Sequence, residues 1–282
     1  LASSSAASDV YKRQVQPCDD PIHSSERLTV VSINPTWQLA LSLVLLVALT
    51  VAFSAWGRLG IGKASVWAAA RAIIQLGVVS MVLVYALKHL WAAALFTLLM
   101  FAVAVRTTAK RTEIGRAWPW AAAAMACGTL PVLLIVFGTG CSPFTAASLI
   151  PLAGIIIGNM MNGHTLAGRR LFPTLRDNLG TYEAALSMGV LRPEAIRMVT
   201  QRSVAEAIIP TVDNTRTVGL VTLPGAFVGV LLGGGSALQA GASQVLVLLG
   251  ILAGQAVTIV VAHRFMMQGR LLPSDLKEKL HD

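Results

Sequence analysis

The chain has 282 residues, 55% of them hydrophobic and only 12% charged. A soluble domain carries about 25% charged residues, so this composition excludes an ordinary soluble protein and indicates a polytopic membrane protein. The net charge of +9 is gathered in a few loops, which argues for membrane orientation and against nucleic-acid binding.

Residues 1–34 are polar and rich in Ser and Ala. Within them Asp9-Val10-Tyr11-Lys12-Arg13-Gln14 looks like a translated sequencing adapter, and a non-native, disordered leader is expected there. The first apolar span runs from about Thr36 to Trp56, bracketed by Trp37 and Trp56 as interfacial aromatics would be. The second, about Val66 to Leu87, carries Arg71 and Gln75 on one helical face. Arg71 and Gln75 either reach the interface and a neighbouring helix or face a substrate path. The third span, about Leu90 to Val105, is followed by Arg106, Lys110, Arg111 and Arg116 with Glu113 alone opposing. The fourth is about Pro119 to Phe137, and the loop Gly138 to Pro143 after it has no charge. The fifth, about Phe144 to Met161, ends in Gly158-Asn159-Met160-Met161-Asn162-Gly163-His164.

A polar segment of residues 164–216 separates this from the sixth span, about Val218 to Leu232. The sixth span contains Leu223-Pro224-Gly225, which should kink or break it. The seventh is about Gln244 to Ala262, and a basic tail, residues 265–282, closes the chain. The expected fold is therefore an all-α membrane bundle of about seven spans, with residues 35–264 as the transmembrane domain. Placing the N-terminus outside puts Arg58, Lys63, the Arg106–Arg116 cluster, the polar segment and the tail on the cytoplasmic side, so the positive-inside rule selects N-out, C-in. Cys18, Cys127 and Cys141 have no metal-site spacing, and neither a disulfide framework nor a zinc site is inferred.

A connection of some fifty residues usually has a job. In segment 164–216 two helices can be read. The first stops at Gly189, a residue that ends helices in the left-handed conformation. The second starts near Pro193, with Glu194 in its first turn. Such a helix–turn–helix makes a docking knob, in which Ala184 and Ala185 allow close approach and Glu183 offers a charge.

Candidate path residues are Arg71, Gln75, Asn159, Asn162, Pro224 and Gly225, because broken backbone at membrane depth is tolerated where it lines a cavity. Met160, Met161 and His164 have donor types suited to soft or borderline metals, against a plainer reading as packing side chains. No Asp or Glu falls within the seven spans. That argues against a proton-coupled carrier and against an acidic-ring cation channel. Nucleophile–histidine pairs are lacking in the spans, which argues against an intramembrane enzyme. A non-transporting scaffold remains open.

Glu183-Ala184-Ala185, followed by Gly189, resembles the EAA loop of prokaryotic ABC-transporter permeases, although the Ile-x-Leu-Pro that commonly follows is absent here. Further matches occur in order: Arg71-Ala72-Ile73-Ile74-Gln75-Leu76, Ile150-Pro151-Leu152-Ala153-Gly154 with Gly158-Asn159, Ile209-Pro210-Thr211, and Gly219-Leu220-Val221-Thr222-Leu223-Pro224-Gly225. Together, over roughly Thr36 to Arg264, they resemble the FetB-type iron-export permeases, and plant aluminium-tolerance half-transporters are similar. The resemblance implies a permease of the bacterial inner membrane, paired with a second copy of itself and with a separate ATPase subunit that uses ATP and magnesium. It implies coupling through Glu183, Ala184, Ala185 and Gly189. The chain has no phosphate-binding loop: Gly233-Gly234-Gly235-Ser236 lacks the lysine. No cofactor is expected in it. Relatives are linked to metal export and to nucleotide-sugar export, so both substrate classes stay open.

Overall fold

The computed structural model describes residues 37–280, and the expected leader lies outside them. The described helices are α1 (Trp37–Trp56), α2 (Gly62–Ala86), α3 (Leu90–Arg111), α4 (Trp118–Gly138), α5 (Ala146–Asp177), α6 (Leu179–Ser187), α7 (Arg192–Thr217), α8 (Gly225–Leu232), α9 (Ala237–Met267) and α10 (Ser274–Lys279). Residues 37–48, the first part of α1, form a unit of their own, an exposed apolar helix. Residues 49–280 form the second unit.

Six helices among the described residues are long and apolar enough to cross a membrane: α1, α2, α3, α4 with its preceding turn, α5 and α9. Their apolar exposed faces are what lipid covers. The sixth expected span, Val218 to Leu232, is not a continuous helix. Pro224 cannot donate a backbone hydrogen bond and disfavours helix in the residue before it. The chain therefore breaks at residues 218–224, and α8 starts only at Gly225 with Pro224 as its N-cap. Gly219, at φ +87, makes the turn, its N–H donating to the Thr222 carbonyl.

α5 is the spine of the second unit and packs against α3, α4, α7 and α9. It runs 32 residues without interruption, so the expected loop after Met161 is in fact the continuation of a span. Close approach is made possible by glycines. A Cβ on Gly128 of α4 would run into Thr258 Oγ1 and the Gly254 carbonyl oxygen, and one on Gly254 would lie 2.9 Å from Met160 Sδ. Thr258 donates to Met160 Sδ at 3.2 Å across the same contact.

α7 folds back along α5 and α9 instead of staying outside the bundle. Thr200 of α7 meets His263 Nε2 at 2.8 Å, and eleven residues later Thr211 donates to Gln255 Oε1 of α9. Thr200 gives its own hydrogen to the Ile196 carbonyl at 2.7 Å, which makes His263 Nε2 the donor between them. α8 then packs on α9 and turns into it, so α7 and α8 in succession accompany α9 in two pieces.

Depth follows from these contacts. Gly128 is the midpoint of the 21-residue α4 and lies against Gly254 and Thr258. Gln255 and its partner Thr211 are therefore at mid-span, and Asp213 is about 3 Å further along α7. The sequence reading placed Asp213 outside the spans. The structure sets it level with the middle of α4, on a helix that is not among the six long and apolar enough to cross a membrane.

The basic end of the bundle has a core like that of a soluble domain. Leu175, Tyr182, Ile196, Met266, Leu276 and Leu280 are all buried there. The expected basic tail is thus folded in: Leu271, Leu272, Leu276 and Leu280 are each at most 3% exposed. Arg176 clasps Asp275 with Nε–Oδ2 at 2.7 Å and Nη2–Oδ1 at 3.0 Å, and Arg270 lies over the Trp120 ring, 4.7 Å from its centroid.

Two outcomes follow. Gly128→Leu should destabilise the bundle by ~1–3 kcal/mol through overpacking, read as a lower Tm in detergent; an unchanged Tm contradicts the α4–α9 contact. The Arg176 guanidinium holds the Asp275 carboxyl below its usual range. A depressed carboxylate pKa means that the clasp's stabilisation is present above the unfolded pKa and lost as pH falls through the folded one. Both partners are more than a third exposed, so water screens the pair to at most about 1 kcal/mol. Protease cleavage near residue 273 should accordingly rise below about pH 4, and Asp275→Asn should show the raised rate already at neutral pH.

Candidate functional site

Two features carry chemistry: a knob at the basic end and a polar level at mid-span. The knob is α6, its turn, and the start of α7. Gly189 adopts φ +83; its N–H donates to the Leu186 carbonyl at 2.8 Å, and Val190 N–H donates to the Ala185 carbonyl at 3.1 Å. This pair of bonds is the Schellman motif, which needs the left-handed residue glycine supplies. α7 then begins at Arg192 with Pro193 in its first positions and Glu194 in its first turn, as the sequence leads one to expect. The second helix is much longer than a short docking element, at 26 residues.

Tyr182 and Ala185 point inward, 1% and 3% exposed. Their burial pins α6 to the basic-end core and leaves Glu183, Ala184, Ser187 and Met188 on the open face. Of the four expected coupling residues, Ala185 is thus the one buried against the basic-end core. The sequence reading missed Met188 and Leu191, 74% and 75% exposed on either side of Gly189. A pair of large apolar side chains at the tip of a polar turn was the available signal. The open face of the knob thus carries an acidic group, a small residue and two apolar projections.

At mid-span, Gln255 is held at both ends of its amide: Oε1 accepts from Thr211, and Nε2 donates to the Asn159 carbonyl at 2.8 Å. Gly163 gives it room, since a Cβ there would lie 3.0 Å from the Gln255 Cδ. Asn159 donates from Nδ2 to the Ile155 carbonyl at 2.8 Å and is half-buried, while Asn162, one turn on, is exposed. Asp213, Asn214 and Arg216 are exposed on α7 just beyond this level. Pro224 and Gly225 open α8 after the break. Arg71 and Gln75 are exposed on α2, and α2 packs on α3, so the structure does not bring them to the Asn159–Gln255–Thr211 cluster. Thr211 and Gln255 were not among the expected path residues.

The metal candidates do not converge on an open site. Met160 is fully buried and takes the Thr258 hydrogen bond. His164 is 1% exposed in a cavity of about 10 Å³ lined by Leu171, Phe172 and Met266, and Met161 is half-buried. Among the described residues no group of three His, Cys, Asp or Glu side chains could hold a metal ion.

A family model described as "Uncharacterised protein family (UPF0014)" matches residues 36–270. The chain belongs to that family. It is 32% identical over 219 residues to the UPF0014 membrane protein STAR2 of Oryza sativa, covering 77% of each chain. With the "probable iron export permease protein FetB" of Escherichia coli it shares 30% identity over 231 residues, 79% of this chain and 87% of that one. The protein ALUMINUM SENSITIVE 3 of Arabidopsis thaliana is 28% identical over 233 residues, 82% and 85% respectively. No solved structure matches. The chain is a membrane protein of the UPF0014 family.

The geometry of the turn is testable. Gly189→Val forces a β-branched residue into the left-handed region, at a cost of ~1–2 kcal/mol. Amides 186–190 should then exchange hydrogen faster while those of α4 and α9 are unchanged. Equal protection in the variant contradicts the pinned turn.

Proposed function

We propose that this chain is the membrane-spanning subunit of an ABC transporter, exporting a metal ion, iron, by the action of a separate ATPase subunit. The observation that carries this reading is the knob: a short helix fixed by Tyr182 and Ala185, presenting Glu183, Ala184 and Met188 to a partner. The knob is continuous with α7, which carries Pro210 just before Thr211 meets Gln255, so a push at the knob has a helical route to the polar level. The printed name of the Escherichia coli relative supports iron and export. In this reading the knob faces the cytoplasm of a bacterial inner membrane and two copies pair with two ATPases. ATP and magnesium are used by those partners, and closure of the ATPases switches the bundle between two accesses.

A secondary carrier is the second reading, and Asp213 at mid-span favours it, since an intramembrane carboxylate is what proton coupling uses. The two readings part on energy source. In proteoliposomes holding this chain and its ATPase, iron movement should require ATP. Glu183→Lys should leave the chain folded and cut ATP-driven transport at least tenfold while ATP is still hydrolysed. Transport that continues without ATP and collapses with the proton gradient moves the carrier ahead. Undiminished ATP-driven transport in Glu183→Lys removes the coupling assignment.

A further inference from the structure

α7 carries a charged stripe along one face. Arg202, Glu206, Ile209, Asp213 and Arg216 fall at helical spacings of four, three, four and three residues, so they lie one above another. The stripe begins at the basic end and passes mid-span beside Thr211. It is open along its length: side chains of Arg202 and Glu206 are 94% and 46% exposed, those of Arg216 and Asp213 75% and 58%, and Ile209 is 48% exposed. The ion pairs within it are loose, with closest approaches of 3.5 Å for both Arg202–Glu206 and Arg216–Asp213. Lipid cannot cover such a surface at this depth, because it offers charged groups no hydrogen-bond partners.

Charge balances within the stripe, two arginines against two acids. From bottom to top the stripe reads positive, negative, apolar, negative, positive. Beside a parallel copy related by a two-fold axis identical residues lie level, and each arginine reaches diagonally to the partner's acid one turn away. A two-fold axis requires that reciprocity: residue i meets j, and j meets i. We infer that α7 meets α7 of a second copy in the membrane, Ile209 against Ile209 at the axis, with Arg202–Glu206 and Asp213–Arg216 pairs crossing the seam. This deepens the paired-permease reading and rests on it. The seam sets the breaks at residues 218–224 of both copies beside the axis. There a path between the copies is lined by loop backbone, the one place irregular backbone is tolerated at this depth.

The test is cross-linking in native membranes. With Cys18, Cys127 and Cys141 replaced by alanine, Ile209→Cys should give a disulfide-linked dimer on mild oxidation, while Val260→Cys, half-exposed on α9, stays monomeric. Asp213→Arg in the Ile209→Cys background should reduce the dimer band at least fivefold, and adding Arg216→Asp should restore it. Native mass spectrometry of the unmodified chain separates the failures. If it shows a pair but Ile209→Cys links no better than Val260→Cys, the seam is overturned and the paired reading stands. If it shows a single copy, both fall. A band that the charge swap does not restore overturns the crossing ion pairs.

Discussion

The amide of Gln255 is the constraint on which the architecture turns. It is a polar group at mid-span, where an unmet hydrogen bond costs several kcal/mol. Its oxygen is met by Thr211 and its nitrogen hydrogen by the Asn159 carbonyl. These two bonds join α5, α7 and α9 at one level, and Gly163, Gly128 and Gly254 let the backbones come close enough for them to form. Nearer the basic end, Thr200–His263 and the bond from Arg170 to the Glu206 carbonyl hold α7 as well.

Once α7 is held at that level, the two candidate features become ends of one object. The knob is fixed by buried Tyr182 and Ala185 and by the Schellman turn at Gly189. From it α7 runs 26 residues, about 39 Å at the helical rise, to the break at residues 218–224. The basic-end core, closed by the folded tail and the Arg176–Asp275 clasp, holds the start of that helix.

Much of this was legible in the residues. The spans from Thr36 to Met161 and the one around Gln244–Ala262 announce themselves by length and apolarity, and Gly189, Pro193 and Pro224 mark stops and starts that the structure keeps. The depth of α7 was hidden because Arg197, Arg202, Glu206, Asp213 and Arg216 give it the composition of a surface helix; only the partner residues on α5 and α9, distant in sequence, reveal where it sits. The length of α5 was hidden for a related reason. Arg169 and Arg170 end the apolar run, but Arg170 donates to the Glu206 carbonyl and the helix continues. The folded tail was hidden because Leu271, Leu272, Leu276 and Leu280 alternate with charges too irregularly to show a face. Ala184 and Ala185 look alike in sequence; only the helix phase set by Tyr182 sends one outward and the other in.

The claim that everything else needs is that α7 lies inside the bundle at mid-span. The direct measurement is a double-cysteine cross-link, Thr211→Cys with Gln255→Cys, in a chain without other cysteines, treated in membranes with a short bismaleimide. The structure requires an efficient link within one chain, insensitive to dilution of the protein in the membrane. Absence of that link, with both cysteines labelled freely by a membrane-impermeant reagent from the aqueous side, would put α7 outside and contradict the account.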